Sequence, residues 1–188
     1  MTNSFSPSRR RFLYSSAGLA ACGLGAAHAS PAWAGAVQAR SLSFSHTHTN
    51  EHISLIYSTH GRYVPQALDR LNHFLRDHYT GDVGAIDPGL FDILHRLALA
   101  LDAPRQPFHV ISCYRCPATN DRLRATGGGG VAKRSLHMDG KAIDIRLPAV
   151  PLTQLRDAAL SLKAGGVGYY PREQFVHIDT GRVRHWRG

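Results

Sequence analysis

Ser135-Leu136-His137-Met138-Asp139-Gly140-Lys141-Ala142-Ile143-Asp144 is the stretch on which the reading of this chain turns. It places a histidine and an aspartate seven residues apart, with Asp139-Gly140 between them. A glycine there lets the chain reverse, so that His137 and the carboxylate on the following strand face one point. Imidazole nitrogen and carboxylate oxygen are both zinc donors, and a catalytic zinc site typically takes three protein ligands and a water. The third donor comes from Phe175-Val176-His177-Ile178-Asp179. Strand alternation puts Phe175, His177 and Asp179 on one face and Val176 and Ile178 on the other. Singly, these residues are ordinary: a strand histidine is usually just hydrogen-bonded, and Asp144 has Arg146 and Lys141 nearby to pair with. It is their combination that points to a zinc-type site.

Outward from this core, the chain alternates between helical and strand patterns. Leu42 and Phe44, then Ile53, Leu55 and Tyr57, flank the polar break His48-Thr49-Asn50-Glu51, which predicts a β-hairpin. His46, His48 and His52 cluster there; their loose spacing reads as a solvated turn rather than a metal site. Pro65 opens a helix with Ala67, Leu68, Leu71, Phe74 and Leu75 at helical spacing, stopped by Gly81 and Gly84. A second helix follows Asp87-Pro88, with Leu90, Phe91, Leu94, Leu97, Ala98 and Leu101 on one stripe. Short strands are expected at 108–112, 142–147, 167–170 and 175–180. Helices are expected at 119–125 and 152–163, the second with Thr153 in its N-cap region and Gly165-Gly166 as its stop. Gly127-Gly128-Gly129-Gly130 cannot hold regular structure and reads as a mobile loop, not a phosphate loop, since no Gly-Lys-Ser/Thr follows. Helices with several short strands, expected to be antiparallel, give an α+β domain.

Composition limits the function classes. The chain has 188 residues, a formal net charge of +9 and 43% hydrophobic residues, so one ordinary domain with a core is expected. Three cysteines are too few for a disulfide-built mini-protein. Ser8-Arg9-Arg10-Arg11-Phe12-Leu13 fits the twin-arginine export signature, followed by an acid-free apolar stretch and a small-x-small site at Ala32-Trp33-Ala34. Residues 1–34 therefore read as a signal peptide cleaved after Ala34, with 35–188 as the catalytic domain. Leu19-Ala20-Ala21-Cys22 resembles a lipobox, and lipid anchoring at Cys22 is the lesser alternative. Export by the twin-arginine route places the mature chain in the periplasm as an expectation, and no other stretch is long and apolar enough to span a membrane. Residues 35–188 hold 19 basic and 13 acidic residues, a charge of +6 that suits dwelling near a polyanionic wall. Nucleic acid is not an expected partner, for lack of both fold motif and compartment.

Ser-x-His-x-x-Gly-x-Ala-x-Asp, met by Ser135, His137, Gly140, Ala142 and Asp144, resembles the zinc D-Ala-D-Ala peptidase and hedgehog-like metallopeptidase superfamily. Tyr114-Arg115 with Pro117-Ala118-Thr119-Asn120, Gly165-Gly166-Val167-Gly168-Tyr169-Tyr170-Pro171 and Phe175-Val176-His177-Ile178-Asp179 extend it over nearly all of 40–188. They are similar to the Tat-exported murein endopeptidases of the YcbK/MepK type. The resemblance implies a single hedgehog/DD-peptidase-like domain with a small antiparallel sheet and the zinc site at that sheet. It implies a zinc peptidase of peptidoglycan cross-links, with His137, Asp144 and His177 as ligands. It favours the diaminopimelate–diaminopimelate bond over D-Ala–diaminopimelate. The alternatives are a zinc D,D-carboxypeptidase and a non-catalytic zinc-containing murein-binding module.

The remaining roles follow from side-chain chemistry. Arg115 offers a fork of donors to a substrate carboxylate or a developing oxyanion. Ser135 donates to substrate, orients His137, or caps a turn. The position three before His177 is Gln174, which cannot be a general base. Asp179 is the first candidate for that role and Glu173 the second; Asp179 alternatively orients His177. Cys113 and Cys116 are a redox pair, a local disulfide or two buried thiols.

Overall fold

The structure is a computed structural model that describes residues 39–126 and 131–188; the signal peptide expected at 1–34 and the four-glycine run lie outside them. The expected hairpin is present as β1 (Arg40–His46) and β2 (His52–Thr59), with Leu42 opposite Leu55 and Phe44 opposite Ile53. Its alternation drives Leu42, Phe44 and Tyr57 into the core and leaves Ser43, Ser45, His52 and Ser54 on the other face. A two-residue turn, His60-Gly61, with both φ positive, adds the short strand β3 (Arg62–Tyr63).

Pro65 occupies the first turn of α1 (Pro65–Phe74), where its missing N–H costs nothing. Asp87 caps α2 (Pro88–Ala100), its side chain accepting from the Gly89 N–H at 2.9 Å. Then come β4 (Phe108–Ser112), α3 (Pro117–Thr126), β5 (Ala142–Arg146), α4 (Leu152–Ser161), β6 (Gly166–Tyr170), β7 (Phe175–Asp179) and β8 (Arg184–Arg187). The N-cap of α4 is Pro151 with no side-chain bond, so Thr153 sits inside the first turn and does not cap it.

The domain is α+β, but the sheet is neither small nor purely antiparallel. Eight strands run in the order β3-β2-β1-β4-β5-β7-β6-β8, and the pairs β1–β4 and β6–β8 are parallel. The physical reason lies in the connections. Between β1 and β4 the chain passes through the hairpin and two helices, long enough to return in the same direction. The connection leaving β7 crosses β6 to place β8 on the free edge of β6. Local alternation carries no information on either choice.

One sheet face holds the core. Phe44, Val110, Ile143, Ile145, Val176 and Ile178 meet Leu71 of α1, Leu90, Leu94 and Leu97 of α2, and Leu155 of α4. Each such side chain, fully buried, is worth about 1.5–3 kcal/mol of transfer free energy. The opposite face carries no layer from these three helices, and it is there that the polar residues of β4, β5 and β7 emerge.

Of the hairpin-tip histidines, His48 and His52 are exposed, as a solvated turn expects, but His46 is not. His46 is 2% exposed, and its Nδ1 accepts from the backbone N–H of His48 (3.2 Å) and of Thr49 (3.4 Å), so the imidazole builds the turn. His48 instead stacks on His78 at 4.2 Å. Burial, the largest cause in both, pulls His46 and His78 down to about 4. An unfolded histidine titrates near 6.5. Between about 6.5 and 4 the unfolded chain therefore binds more protons, so stability is full above that window and falls as pH drops through it. In His46→Asn, whose amide oxygen replaces Nδ1, the urea midpoint is expected to fall less steeply from pH 7 to 4.5. Equal slopes in the two proteins would refute the assignment.

Candidate active site

Strand register lines up one row of residues across five strands. Ser112 of β4 faces Asp144 of β5, Asp144 faces His177 of β7, His177 faces Gly168 of β6, and Gly168 faces Trp186 of β8. Directly paired residues hold their Cβ atoms about 4.5–5.5 Å apart. Alternation sends this row to the face away from the helices, because Ile143, Ile145, Val176 and Ile178 take the core side. Gly168 has a steric role: a Cβ there would lie 2.6 Å from the Trp186 indole. Without one, the indole reaches over β6 to His177, with ring centroids 5.1 Å apart. Its Nε1 donates to Tyr170 at 2.9 Å, and Tyr170 stacks on Phe175 at 4.5 Å.

His137 arrives from the turn before β5. Gly140 takes φ +65°, and a Cβ there would lie 1.9 Å from the Ala85 carbonyl oxygen. The Gly140 carbonyl accepts from the Asp87 N–H at 2.9 Å, which locks the turn to the start of α2. The turn brings His137 Nε2 to 3.3 Å from Asp144 Oδ2 and 3.2 Å from His177 Nδ1, while His177 Nδ1 lies 2.9 Å from Asp144 Oδ1. All three side chains are buried. Among the described residues this is the one group of donors close enough to hold a metal ion.

The donor set fits zinc. A tetrahedral site with bonds of about 2.0–2.1 Å has edges of roughly 3.3 Å, close to these separations. The hydrogen-bond partners behind the histidines free the right nitrogens. His137 Nδ1–H donates to the Cys113 carbonyl at 2.6 Å, which leaves Nε2 as the lone-pair donor. His177 Nε2 lies 3.1 Å from Asp179 Oδ2, which leaves Nδ1. For Asp144, burial alone would raise the pKa; the adjacent His137 and His177 overcome it and hold the carboxyl well below the usual range. Burial lowers the pKa of His137. In His177 burial also acts downward, but hydrogen bonds to Asp144 and Asp179 prevail and raise it.

Asp179 is fully buried, and every one of its acceptor directions is engaged. Oδ1 accepts from the N–H of Gly166 (3.1 Å), the N–H of Gly181 (2.8 Å) and Arg184 (3.0 Å); Oδ2 accepts from Arg184 (2.7 Å) and meets His177. Glu173, in the turn before β7, is exposed and lines the cavity over the donors.

Arg115 is 8% exposed; its Nη2 donates to Ser112 Oγ at 3.3 Å and lies 3.6 Å from Asp144 Oδ2. Its Nε is buried with no hydrogen-bond partner. Both Cys113 and Cys116 are free, buried thiols: the first donates to the Ala142 carbonyl (3.4 Å), the second to Thr119 Oγ1 (3.5 Å). Burial pushes the Cys113 thiol up, which keeps it protonated and unreactive. The role of this segment is positional, since the Cys113 carbonyl orients His137.

Around the donors opens a cavity of about 430 Å3 with Arg115, Arg134 and Ser135 on one side and Tyr170, Phe175 and Trp186 on the other. Sequence reasoning assigned no role to Arg134, Arg184 or Trp186. A tryptophan inside the arginine-rich run Arg182-Val183-Arg184-His185-Trp186-Arg187 was the available signal.

Comparison with known proteins identifies the family. The family described as Peptidase_M15_2, peptidoglycan L,D-endopeptidase MepK, matches residues 34–186. Over 147 residues the chain is 48% identical to the peptidoglycan L,D-endopeptidase MepK of Escherichia coli K12, covering 78% of this chain and 80% of that protein. The same identity and coverage hold for the protein of that name from Shigella flexneri. The probable peptidoglycan L,D-endopeptidase MepK of Haemophilus influenzae is 40% identical over 149 residues, 79% of this chain and 80% of its own length. With a histidine–aspartate–histidine donor set at the floor of its cavity, the chain belongs to the Peptidase_M15_2 family of MepK peptidoglycan endopeptidases.

Proposed function

We propose that the protein is a zinc-dependent murein L,D-endopeptidase that hydrolyses peptide cross-links outside the cytoplasm, after export directed by residues 1–34. The observation that carries this reading is the triangle of His137, Asp144 and His177 donors, 2.9–3.3 Å apart, opening into a cavity of about 430 Å3. Zinc held there would polarise a scissile carbonyl and lower the pKa of a coordinated water toward neutrality. The chain's own residues do the rest. Arg115 holds a stem carboxylate or the developing oxyanion, through the fork whose Nε has no protein partner. Ser135 donates to the substrate backbone from the cavity wall. Tyr170, Phe175 and Trp186 shut water out from the opposite side. Asp179 orients His177, and Glu173 is the carboxylate free to accept a proton. The names of the relatives favour the L,D bond, which between stems is the diaminopimelate–diaminopimelate link.

Mass spectrometry of digested murein tests the reading. Cross-linked dimers are expected to fall to monomers, and a chelator is expected to stop this, with zinc restoring it. Loss of one alanine without a fall in dimers would instead identify a carboxypeptidase, and binding without turnover a non-catalytic module. Glu173→Gln is expected to lower kcat by about 10²–10⁴-fold with little change in KM, the range of general acid–base contributions. A kcat within threefold of wild type would remove Glu173 from the reaction.

A further inference from the structure

A second row of polar side chains crosses the same sheet face as the metal donors. His52 of β2 faces Ser45 of β1, Ser45 faces His109 of β4, and His109 faces Arg146 of β5. Arg146 follows Asp144 by two residues, so it shares that face and lies about 7 Å along the strand. The residues between, Phe44, Val110 and Ile145, point into the core. The far end of the row opens into a second cavity of about 300 Å3, bordered by Ser43, Ser45, His52, Ser54 and Arg105. The chemistry proposed for the first cavity uses none of these groups.

The row has a definite character. It holds arginines, imidazoles and hydroxyls and no acidic residue. Arg146 Nε is buried without a hydrogen-bond partner, as is Arg115 Nε in the first cavity. Ser45 Oγ and His52 Nδ1 lie 2.8 Å apart and form a fixed polar pair. Burial, then Arg146, then His52 lower the pKa of His109, so its ring is neutral beside the guanidinium. Three strand spacings separate β5 from β2, about 14 Å, or about four residues of extended peptide.

A cross-link joins two stems, so its scissile bond has an arm on either side. The aromatic side chains of Tyr170, Phe175 and Trp186 flank one side of the donors, over β6, β7 and β8. The other side is β5 and β4, where Arg146 and His109 stand. We propose that the Arg146–His109 row is a carboxylate-binding subsite that holds the second stem peptide of a cross-linked pair and leads it to the Ser45–His52 cavity. This rests on the endopeptidase reading and adds to it a device that prefers cross-linked over free stems.

The test is calorimetric binding to chelator-treated protein, so that nothing is cut. The probes are a cross-linked muropeptide dimer, the corresponding monomer, and the dimer with its free carboxyls amidated. Wild type is expected to bind the dimer about tenfold more tightly than the monomer, the scale of one charge-assisted hydrogen bond. Arg146→Gln is expected to erase that preference, and the amidated dimer to bind both proteins alike. Ser54→Glu, an exposed change that adds a repelling carboxylate to the second cavity, is expected to weaken the dimer and spare the monomer. Unchanged dimer affinity in both variants overturns the subsite, as does equal binding of dimer and monomer by wild type. A parallel digestion with metal-loaded wild type separates the two readings. If it cuts no cross-links the endopeptidase reading fails, while the dimer-over-monomer comparison still decides the subsite.

Discussion

Asp144→Ala is expected to abolish metal binding at one equivalent and to lower kcat/KM on cross-linked murein by at least about 10³-fold, roughly 4 kcal/mol of transition-state stabilisation. Asp144 is the only anion among the three donors, and its oxygens lie 2.9 Å from His177 and 3.3 Å from His137. Two neutral imidazoles alone leave a divalent cation uncompensated in a site where all three side chains are buried. Asp144 is also the carboxylate facing Arg115, at 3.6 Å, so its loss leaves a buried guanidinium without its counter-charge. Some destabilisation is therefore expected as well. Asp144→Asn separates the effects, because it keeps the volume and a carbonyl acceptor but removes the charge. It is expected to fold with a Tm below that of metal-free wild type, since Arg115 still lacks its counter-charge, but above that of Asp144→Ala, and still to lack both metal and activity. Metal content by mass spectrometry and digestion of purified sacculi are the measurements. Activity within tenfold of wild type in either variant would sink the metal-centred mechanism.

Much of this site is visible in the chain before folding, because its parts are local. Gly140 between His137 and Asp144 announces a turn, and the structure uses it as one, at φ +65°. Alternation in 175–179 announces which side His177 takes. What the sequence does not carry is the pairing of distant strands. β8 has no apolar alternation and no strand is expected there, yet Trp186 and Arg184 line the cavity from the sheet edge. The requirement for glycine at 168 exists only because Trp186, eighteen residues later, lies across it. His46 looks like a turn residue by spacing and is one of the most buried histidines, because its ring nitrogen replaces a backbone acceptor. The Arg146–His109 row is also invisible in sequence, since parallel pairing of β1 with β4 brings Ser45 beside His109. In each case local periodicity predicts the element, and non-local register decides what its side chains meet.

Asp179 is the residue at which chemistry by type and chemistry by position diverge, and its substitution is the second expected large effect. A carboxylate two residues from His177, on the same strand face, has the right type for a general base. Its position assigns it elsewhere. It is fully buried, and its oxygens hold two backbone N–H groups, both ends of the Arg184 guanidinium and the His177 imidazole. Burial would raise its pKa, but the bonds from His177, Arg184 and Gly181 more than reverse this and hold it low, so it is a poor proton acceptor. In the proposed reading it fixes which nitrogen of His177 faces the metal. Asp179→Ala is expected to destabilise the fold by about 3–5 kcal/mol, the scale of breaking a buried ion pair, with the Gly166 and Gly181 N–H groups also orphaned. Asp179→Asn is the milder probe. It keeps an oxygen for His177 and loses the charge that Arg184 needs. Its zinc affinity is expected to drop by about 10–100-fold, the range for lost partners behind a ligand, while kcat at saturating zinc stays within about tenfold of wild type. A base would give the reverse: intact zinc affinity and a collapse of kcat that added zinc does not repair. Zinc titration by competition with a chromogenic chelator, alongside turnover at each zinc concentration, distinguishes the two patterns. The orienting role also implies that Arg184→Gln reproduces the loss of zinc affinity in weaker form, since Arg184 holds both oxygens of Asp179, which in turn meets His177.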